Sequence, residues 1–419
     1  MPITNLGYGH QQIRLELADH QWAGLVDTNT QQQADVPEKM ISQALEQPIG
    51  SLTLKQIAAA KAAKSALIVV NDITRPTPYQ LILPPLLEEL AAAGIPDQAI
   101  TLLVATGIHR AHTEEENCQL YTSEICSRYR VVSHDCDHDV IPVGKLSNGT
   151  PLKINRLVRE HDLLITTGLI GLHYFAGYSG GRKSILPGIA SRDLIAANHA
   201  MMIDERCRLD NISDNPVHKI MVEASRLAGV DFIINVVTDA HGHLVAAVAG
   251  DVIEAWEQGV KISRQLSTIS LDRPASIVLA SCGGFPKDIN LYQAQKALDG
   301  ASLAVKPGGC IILLAECREG LGEETFRRWI LEAASPQSIE QRIRTQFELG
   351  GHKAYAISRL TSKAKIILVS SLEPQLVRKC YMEPADSLDQ ALQIARQDQG
   401  ADARILVMPH AANVAVRIG

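Results

Sequence analysis

The chain has 419 residues, 46% apolar and 21% charged, which excludes general disorder and collagen-like or low-complexity classes. At roughly 150 residues per domain it predicts two or three domains, two being favoured, with length enough for a substantial core. Forty Lys and Arg against 46 Asp and Glu give a net charge of −6, and aromatics are only 4%, whereas a nucleic-acid binder would be basic overall and richer in stacking platforms. No run approaches the about 18 apolar residues of a membrane span, and Met1–Asn5 shows no basic start before an apolar stretch. The expectation is a cytoplasmic protein without nucleic-acid or membrane partners, its thiols reduced. The eight cysteines form no C-x-x-C pair, so neither zinc-ribbon spacing nor a redox dithiol motif is present.

In chain order, helical patterns at Leu52–Ala63 and Tyr79–Ala93 alternate with short apolar runs at Ala66–Val70 and Thr101–Ala105. Asp162–Thr167 is the next run, followed by a helix over Ser191–Met202 with Ser191 placed as N-cap. Val236–Val245 reads as a β-hairpin with a Gly-containing turn. The runs Ser276–Ala280, Cys310–Leu314, Lys365–Val369 and Arg404–Met408 complete the series. Continuous rather than alternating apolarity predicts strands buried on both faces, as in parallel sheets covered by helices. The class is α/β with mainly parallel sheets, divided into domains over 1–262 and 275–405 by a connector at 263–274. Ligands in such folds bind beyond the C-terminal ends of strands, so the polar residues just after each run are the candidates.

Four constellations stand there. Asn71-Asp72-Ile73-Thr74-Arg75-Pro76 presents a carboxylate and a guanidinium on a Pro-stiffened loop, suited to a substrate carboxylate or phosphate or, equally, to a structural turn. Thr106-Gly107-Ile108-His109-Arg110 places a His where a general base can act, although a lone His is more often structural; nearby His112 reads as an ordinary surface residue. Gly171 to Ser184, with His173, Gly177, Ser179, Gly180, Gly181, Arg182 and Lys183, is rich in glycines whose amides can form an anion nest. It fails the P-loop pattern, because Arg182 stands where Gly is required before Lys183. His199, on the next helix, is a candidate metal ligand. Gln293 and Lys296 share a helix face after the Cys282-Gly283-Gly284 loop, either as site residues or as a solvated face. His134-Asp135-Cys136-Asp137-His138 looks like a metal cluster, but an extended segment splits Cys136 from the two Asp, and His241 and His243 read as solvated residues of a turn.

Taken together, these motifs resemble the nickel-pincer lactate racemase family. The resemblance runs from about residue 70 to 300. It rests on N-D-x-T-R-P at 71–76, T-G-x-H-R at 106–110, H-x-F-A-G-x-S-G-G-R-K-S at 173–184, A-N-H at 197–199 and N-L-Y-Q-x-x-K at 290–296. It implies two α/β domains with the active site in the cleft between them, the tail at about 408–419 returning to the first. It also implies a nickel-pincer nucleotide, Ni(II) pyridinium-3,5-bisthiocarboxylate mononucleotide, joined to Lys183 as a thioamide, with His199 completing the nickel coordination. Asp72, Ile73, Thr74 and Arg75 would hold the cofactor and Arg75 would also bind the substrate carboxylate; from its amides, the Gly-rich turn at 177–181, with Ser179 and Gly180, is expected to lie against the cofactor phosphate. Enzymes that make the cofactor would be transient partners.

The implied reaction is racemisation or epimerisation of a small 2-hydroxy acid. The C2 hydrogen of such an acid is very weakly acidic, so a side-chain base alone would face a prohibitive carbanion. Hydride transfer to the cofactor, while a base takes the hydroxyl proton, gives a planar 2-keto acid instead, and its rotation before hydride returns inverts the configuration. The family motifs place the two acid/bases at His109 and His173, each contributing about 10²–10⁴-fold. Lys296 with Gln293 would polarise or anchor the substrate, and Tyr292 would line the pocket. Relatives acting on lactate carry a Trp in the C-terminal domain that packs on the substrate; here the corresponding region reads Glu348-Leu349-Gly350-Gly351-His352-Lys353-Ala354. A smaller, polar loop predicts a substrate larger or more polar than lactate, with His352 and Lys353 reaching a second polar group, unless the segment is simply a helix N-terminus. Two other readings stand beside the racemase: an ATPase-like enzyme binding nucleotide on the 177–184 loop, and a non-catalytic cofactor carrier.

Overall fold

The computed structural model describes residues 2–29, 36–240 and 242–419. The chain divides into two compact units, Thr30–Leu266 and a second made of Met1–Asn29 with Ser267–Gly419. Each is a helix-covered, mainly parallel sheet. Among the described residues, no helix is long and apolar enough to cross a membrane.

In the first unit six strands lie in the order Leu244–Gly250, Phe232–Thr238, Leu163–Leu169, Ala66–Asn71, Ile100–Ala105, Arg130–Ser133. Every neighbouring pair is parallel except the first, the hairpin expected near 236–245. Ala66–Val70 is buried throughout, as a strand covered on both faces must be. One face packs on the helix Tyr79–Ala92, whose Ile82, Leu83, Leu86, Leu87 and Leu90 recur at helical spacing. The helix Leu54–Lys61 starts at a Thr53–Gln56 capping box. Ser191 precedes the helix Arg192–Ala200 as expected, but its hydroxyl makes no capping bond. Val69 is level with Leu103 on one side and Thr166 on the other, so three adjacent strands deliver their following loops to one sheet edge.

The second unit holds a parallel sheet in the order Glu383–Ala385, Ala364–Val369, Val305–Leu314, Ala275–Ser281, Ile405–Met408, Trp22–Leu25. The expected domain limits are corrected at both termini. Residues 1–29 do not belong with 30–262: Trp22–Leu25 is the edge strand beside Ile405–Met408, and Leu6, Leu15 and Leu17 share a core with Ile277 and Leu279. Nor does the tail return to the first unit, because Ala415–Ile418 pairs in parallel with Thr268–Leu271. The expected connector is therefore structured, as the end of the helix Glu254–Ser267 followed by that strand.

Candidate active site

The strand Ala66–Asn71 ends in the first candidate loop. Asp72 is 4% exposed, and its carboxylate accepts from Thr74 Oγ1 at 2.6 Å and from His109 Nδ1 at 2.5 Å. His109 comes from the loop after the neighbouring strand Ile100–Ala105. A carboxylate only accepts, so the His109 proton sits on Nδ1 and Nε2 is the basic nitrogen of the neutral ring. Burial pushes the Asp72 carboxyl up, but the bonds from His109 and Thr74, with the charges of His109 and Arg75, hold it below the ordinary Asp value. Arg75 is exposed, and among the described residues its guanidinium makes no hydrogen bond, which leaves its bidentate fork open.

The third strand, Leu163–Leu169, leads into the Gly-rich segment. His173 Nε2 lies 2.9 Å from Lys183 Nζ, and His173 Nδ1 accepts from the Ala176 N–H at 3.3 Å. The buried Phe175 ring joins the group: it meets His173 edge-on at 4.6 Å and His199 at 5.0 Å between centroids, and Lys183 Nζ stands 5.4 Å from its centre. Desolvation, then the charges of Arg75 and Arg182, pull Lys183 well below the ordinary lysine value. Burial and the Lys183 charge bring His199 down to about 3, so this imidazole is neutral. An amine whose charged form is disfavoured and a neutral imidazole around one ring suit a Lys-linked, His-ligated nickel group, so the residues present fit the implied cofactor.

Arg182 explains how this segment is held. It is fully buried and stacks over Trp256, 3.9 Å from the ring centre. Its guanidinium donates to the carbonyls of Ala176 (2.9 Å), Gly180 (3.2 Å) and Ser179 (3.3 Å) and to His218 Nδ1 (3.1 Å). Burial lowers Arg182 to about 9, and burial plus the Arg182 charge lowers His218 to about 3, which keeps Nδ1 free to accept. Trp256 Nε1 donates to Ser179 O at 2.8 Å.

The same geometry bears on the anion nest expected in the Gly-rich segment. The Ser179 N–H is bonded to Gly171 O, Gly181 N–H to Asn235 Oδ1 and Lys183 N–H to Gly180 O. Gly180 and Gly181 have positive φ, and a Cβ at either would stand 2.7 Å from Asn235 Oδ1 or from Trp256 Cδ1. These glycines permit close packing on the scaffold, and the amides of Ser179, Gly181 and Lys183 are already bonded within the protein.

In the second unit Asn290 Oδ1 caps the short helix Leu291–Ala294 by accepting from Gln293 N, and the exposed Lys296 donates to Gln293 Oε1 at 2.6 Å. The predicted shared face of Gln293 and Lys296 is thus present. Tyr292 packs edge-on against Phe326, and burial with the Glu323 charge raises its phenol to about 12. The 348–354 stretch is not an open polar loop. Gly351 opens the buried helix Gly351–Thr361 against the Trp329 indole, whose Nε1 donates to Glu348. His352 is 6% exposed and accepts from Gly350 N; Lys353 is 4% exposed, 5.6 Å from the Tyr292 ring centre. With its amide oxygen facing Lys353, Gln295 accepts from Nζ at 2.6 Å.

The remaining candidates are placed as follows. His134 is buried between Ala190 O and Asn155, Asp137 binds Arg192 through both oxygens, and Asp135 pairs with His138, so the 134–138 groups face separate partners. His243 pairs with Asp239, while His241 lies outside the described residues. His112 is not an ordinary surface residue: it is half-buried and hydrogen-bonded through both ring nitrogens. Sequence reasoning gave no role to Phe175, Trp256 or His218. Phe175 stood inside the H-x-F stretch, but nothing in the local pattern ties residues 218 and 256 to it.

Comparison with known proteins agrees along the whole chain. Residues 8–210 match the lactate racemase N-terminal domain and residues 271–416 the lactate racemase C-terminal domain. The lactate racemase of Thermoanaerobacterium thermosaccharolyticum is 35% identical over 428 residues and that of Lactiplantibacillus plantarum 35% over 429, with all of both chains covered in each case. The structure of the Thermoanaerobacterium thermosaccharolyticum lactate racemase apoprotein superposes with a TM-score of 0.93 at 34% identity, covering 99% of this chain and 100% of that one. A Thermotoga maritima protein at 20% identity shares the fold, with a TM-score of 0.63 over 89% of this chain and 100% of that one. The chain belongs to the lactate racemase family.

Proposed function

We propose that this isomerase racemises or epimerises a small, lactate-like 2-hydroxy acid by hydride transfer through a transient 2-keto acid. The observation that carries the reading is the Lys183–His173–Phe175–His199 group, which sets an amine pulled well below the ordinary lysine value and a neutral imidazole around one aromatic ring. In this reading Lys183 links the nickel-pincer nucleotide, His199 ligates the metal, and the Asp72–Arg75 loop holds the group. When bound, the cofactor supplies the hydride acceptor. His109 Nε2 takes the hydroxyl proton, and Asp72 stabilises the imidazolium that results. His173 serves as acid/base for the other enantiomer. The open fork of Arg75 pairs with the substrate carboxylate. Tyr292, Gln293 and Lys296 are assigned as substrate-binding residues from the resemblance.

The finer expectation of a larger or more polar substrate retains one physical support, the Lys353 ammonium beside Tyr292. The ATPase-like alternative is disfavoured because the Ser179, Gly181 and Lys183 amides, which would have to cradle phosphate, are bonded internally. A carrier has no use for the Asp72–His109 pair.

The test is production of the chain with cofactor-making enzymes, followed by peptide mass analysis and chiral chromatography of lactate, malate, 2-hydroxyglutarate and phenyllactate. A mass adduct on Lys183 and equilibration of at least one acid are expected. Full racemase activity in a Lys183→Ala, His199→Ala double variant would overturn the cofactor assignment.

A further inference from the structure

Ile73, Thr74, Arg75 and Pro76 are all exposed, yet this stretch carries the Arg75 fork and continues from the buried Asp72. Most of its hydrogen bonds are internal: Arg75 N to Asp72 O at 3.1 Å, Thr77 N to Arg75 O at 2.8 Å, and Thr74 Oγ1 to Asp72 Oδ1 at 2.6 Å. Among the described residues, one bond ties Ile73–Pro76 to another part of the unit. The Ile73 N–H donates to His112 Nε2 at 3.0 Å.

His112 is itself firmly placed. Its backbone N–H donates to Ser133 Oγ at 3.1 Å, and its ring stacks on Tyr121 at 6.4 Å between centroids and 23° between planes. Because Nε2 accepts from Ile73, the proton of the neutral ring is on Nδ1 and goes to Asn117 Oδ1 at 3.0 Å. Asn117 and Tyr121 lie on one helix, Glu114–Tyr121, whose first turn is closed by the Thr113–Glu116 capping box. Tyr121 in turn donates to Asn71 O, at the start of the same loop. The helix therefore grips the loop at Asn71 directly and at Ile73 through His112.

We propose that His112 is a positioning residue that, by accepting the Ile73 N–H, fixes the loop carrying Asp72 and Arg75 in the geometry the reaction uses. The clamp is a property of the chain; its consequence for turnover rests on the reading proposed above.

The test uses two substitutions in the full chain. His112→Phe keeps a flat ring for the Tyr121 stack but has no acceptor, whereas His112→Gln keeps an acceptor at the reach of Nε2. Hydrogen–deuterium exchange of the peptide over 70–78, in protein without cofactor, should be about tenfold faster in His112→Phe and near the parent rate in His112→Gln, the scale expected for one net hydrogen bond. In the cofactor-loaded enzyme, His112→Phe should raise KM for the 2-hydroxy acid and lower kcat, with both recovered in His112→Gln. If His112→Phe fails to fold, Asn117→Leu, which removes the Nδ1 partner, takes its place with the same expected direction. Exchange at the parent rate in His112→Phe, or in Asn117→Leu where that variant replaces it, overturns the clamp. Faster exchange with unchanged KM and kcat overturns the positioning role. A loaded parent chain that racemises none of the acids overturns the functional reading and leaves the exchange result standing.

Discussion

His173 Nε2 and Lys183 Nζ lie 2.9 Å apart, and only one of the two can be the donor. His173 Nδ1 accepts from the Ala176 N–H, so the neutral ring carries its proton on Nε2 and gives it to Lys183, which accepts only as an uncharged amine. Desolvation and the charges of Arg75 and Arg182 push the amine in the same direction. At pH 7 an ordinary lysine is only about 0.04% free amine. Lys183 should therefore acylate ahead of the other lysines once its access is allowed for, with a labelling curve that rises with pH through a midpoint well below theirs. Peptide mass analysis after brief treatment with an acyl donor at a series of pH values reads this directly. A Lys183 midpoint in the bulk lysine range would remove the basis for a pre-activated linking amine.

Asp72→Asn tests the other half of the site. The replacement keeps the size of the side chain, but its amide can donate to His109 Nδ1 and so move the ring proton onto Nε2, the nitrogen that must act as base. A fall in kcat of roughly 10²–10⁴-fold is expected with the fold retained. The pH dependence of stability should change as well. Because the folded Asp72 carboxyl is held below its unfolded value, its contribution is present above the unfolded value of about 3.9 and lost as pH falls through the folded one. Acid unfolding of Asp72→Asn, followed by circular dichroism, should lack that component. A variant with parent kcat would show that His109 needs no orienting carboxylate.

The parts of the molecule legible in the sequence are those with a local signature. Ala66–Val70 and Leu163–Gly168 announce a doubly covered sheet because burial on both faces removes alternation. Asp72 and His109 are legible as candidates because polar residues just past such strands gather at one edge. Trp22–Leu25 is not legible because an edge strand of four residues, three half-buried and one exposed, leaves no buried apolar run. The packing of Gly180 and Gly181 on Asn235 and Trp256 is not legible, because positive φ looks the same whether the neighbour is a phosphate or a side chain. His112 passed as a surface residue because its partners, Ile73 and Asn117, are set by the path of the backbone.

Arg182 should be needed for stability before it is needed for chemistry. Arg182→Met would keep the stem over Trp256 but leave the Ala176 carbonyl and His218 Nδ1 without their donor, while Gly180 O keeps the Lys183 N–H. Each buried polar group stripped of its partner costs about 1–3 kcal/mol, so a loss of about 3–5 kcal/mol is expected by urea unfolding. Arg182→Lys restores a charge but not the planar fork and should recover only part of it. Unchanged stability in Arg182→Met would show that water replaces the guanidinium and that the segment is held by Trp256 alone.

The assignment of the N-terminal residues can be tested at Leu6. Its side chain is fully buried in the core that holds Ile277, Leu279 and Val407, and the next residue is pinned by the Ser281 hydroxyl, which donates to Gly7 O at 2.7 Å. Leu6→Ala removes three carbons from that core, at a cost of about 2–5 kcal/mol depending on how far the site collapses. Hydrogen exchange locates the damage. Protection should fall in Ala275–Ser281 and Ile405–Met408 while Ala66–Asn71 and Ile100–Ala105, in the other unit, keep theirs. If the amides of Ala66–Asn71 were the ones to lose protection, residues 2–29 would belong with the first unit, as the continuous reading of the sequence from its start had implied.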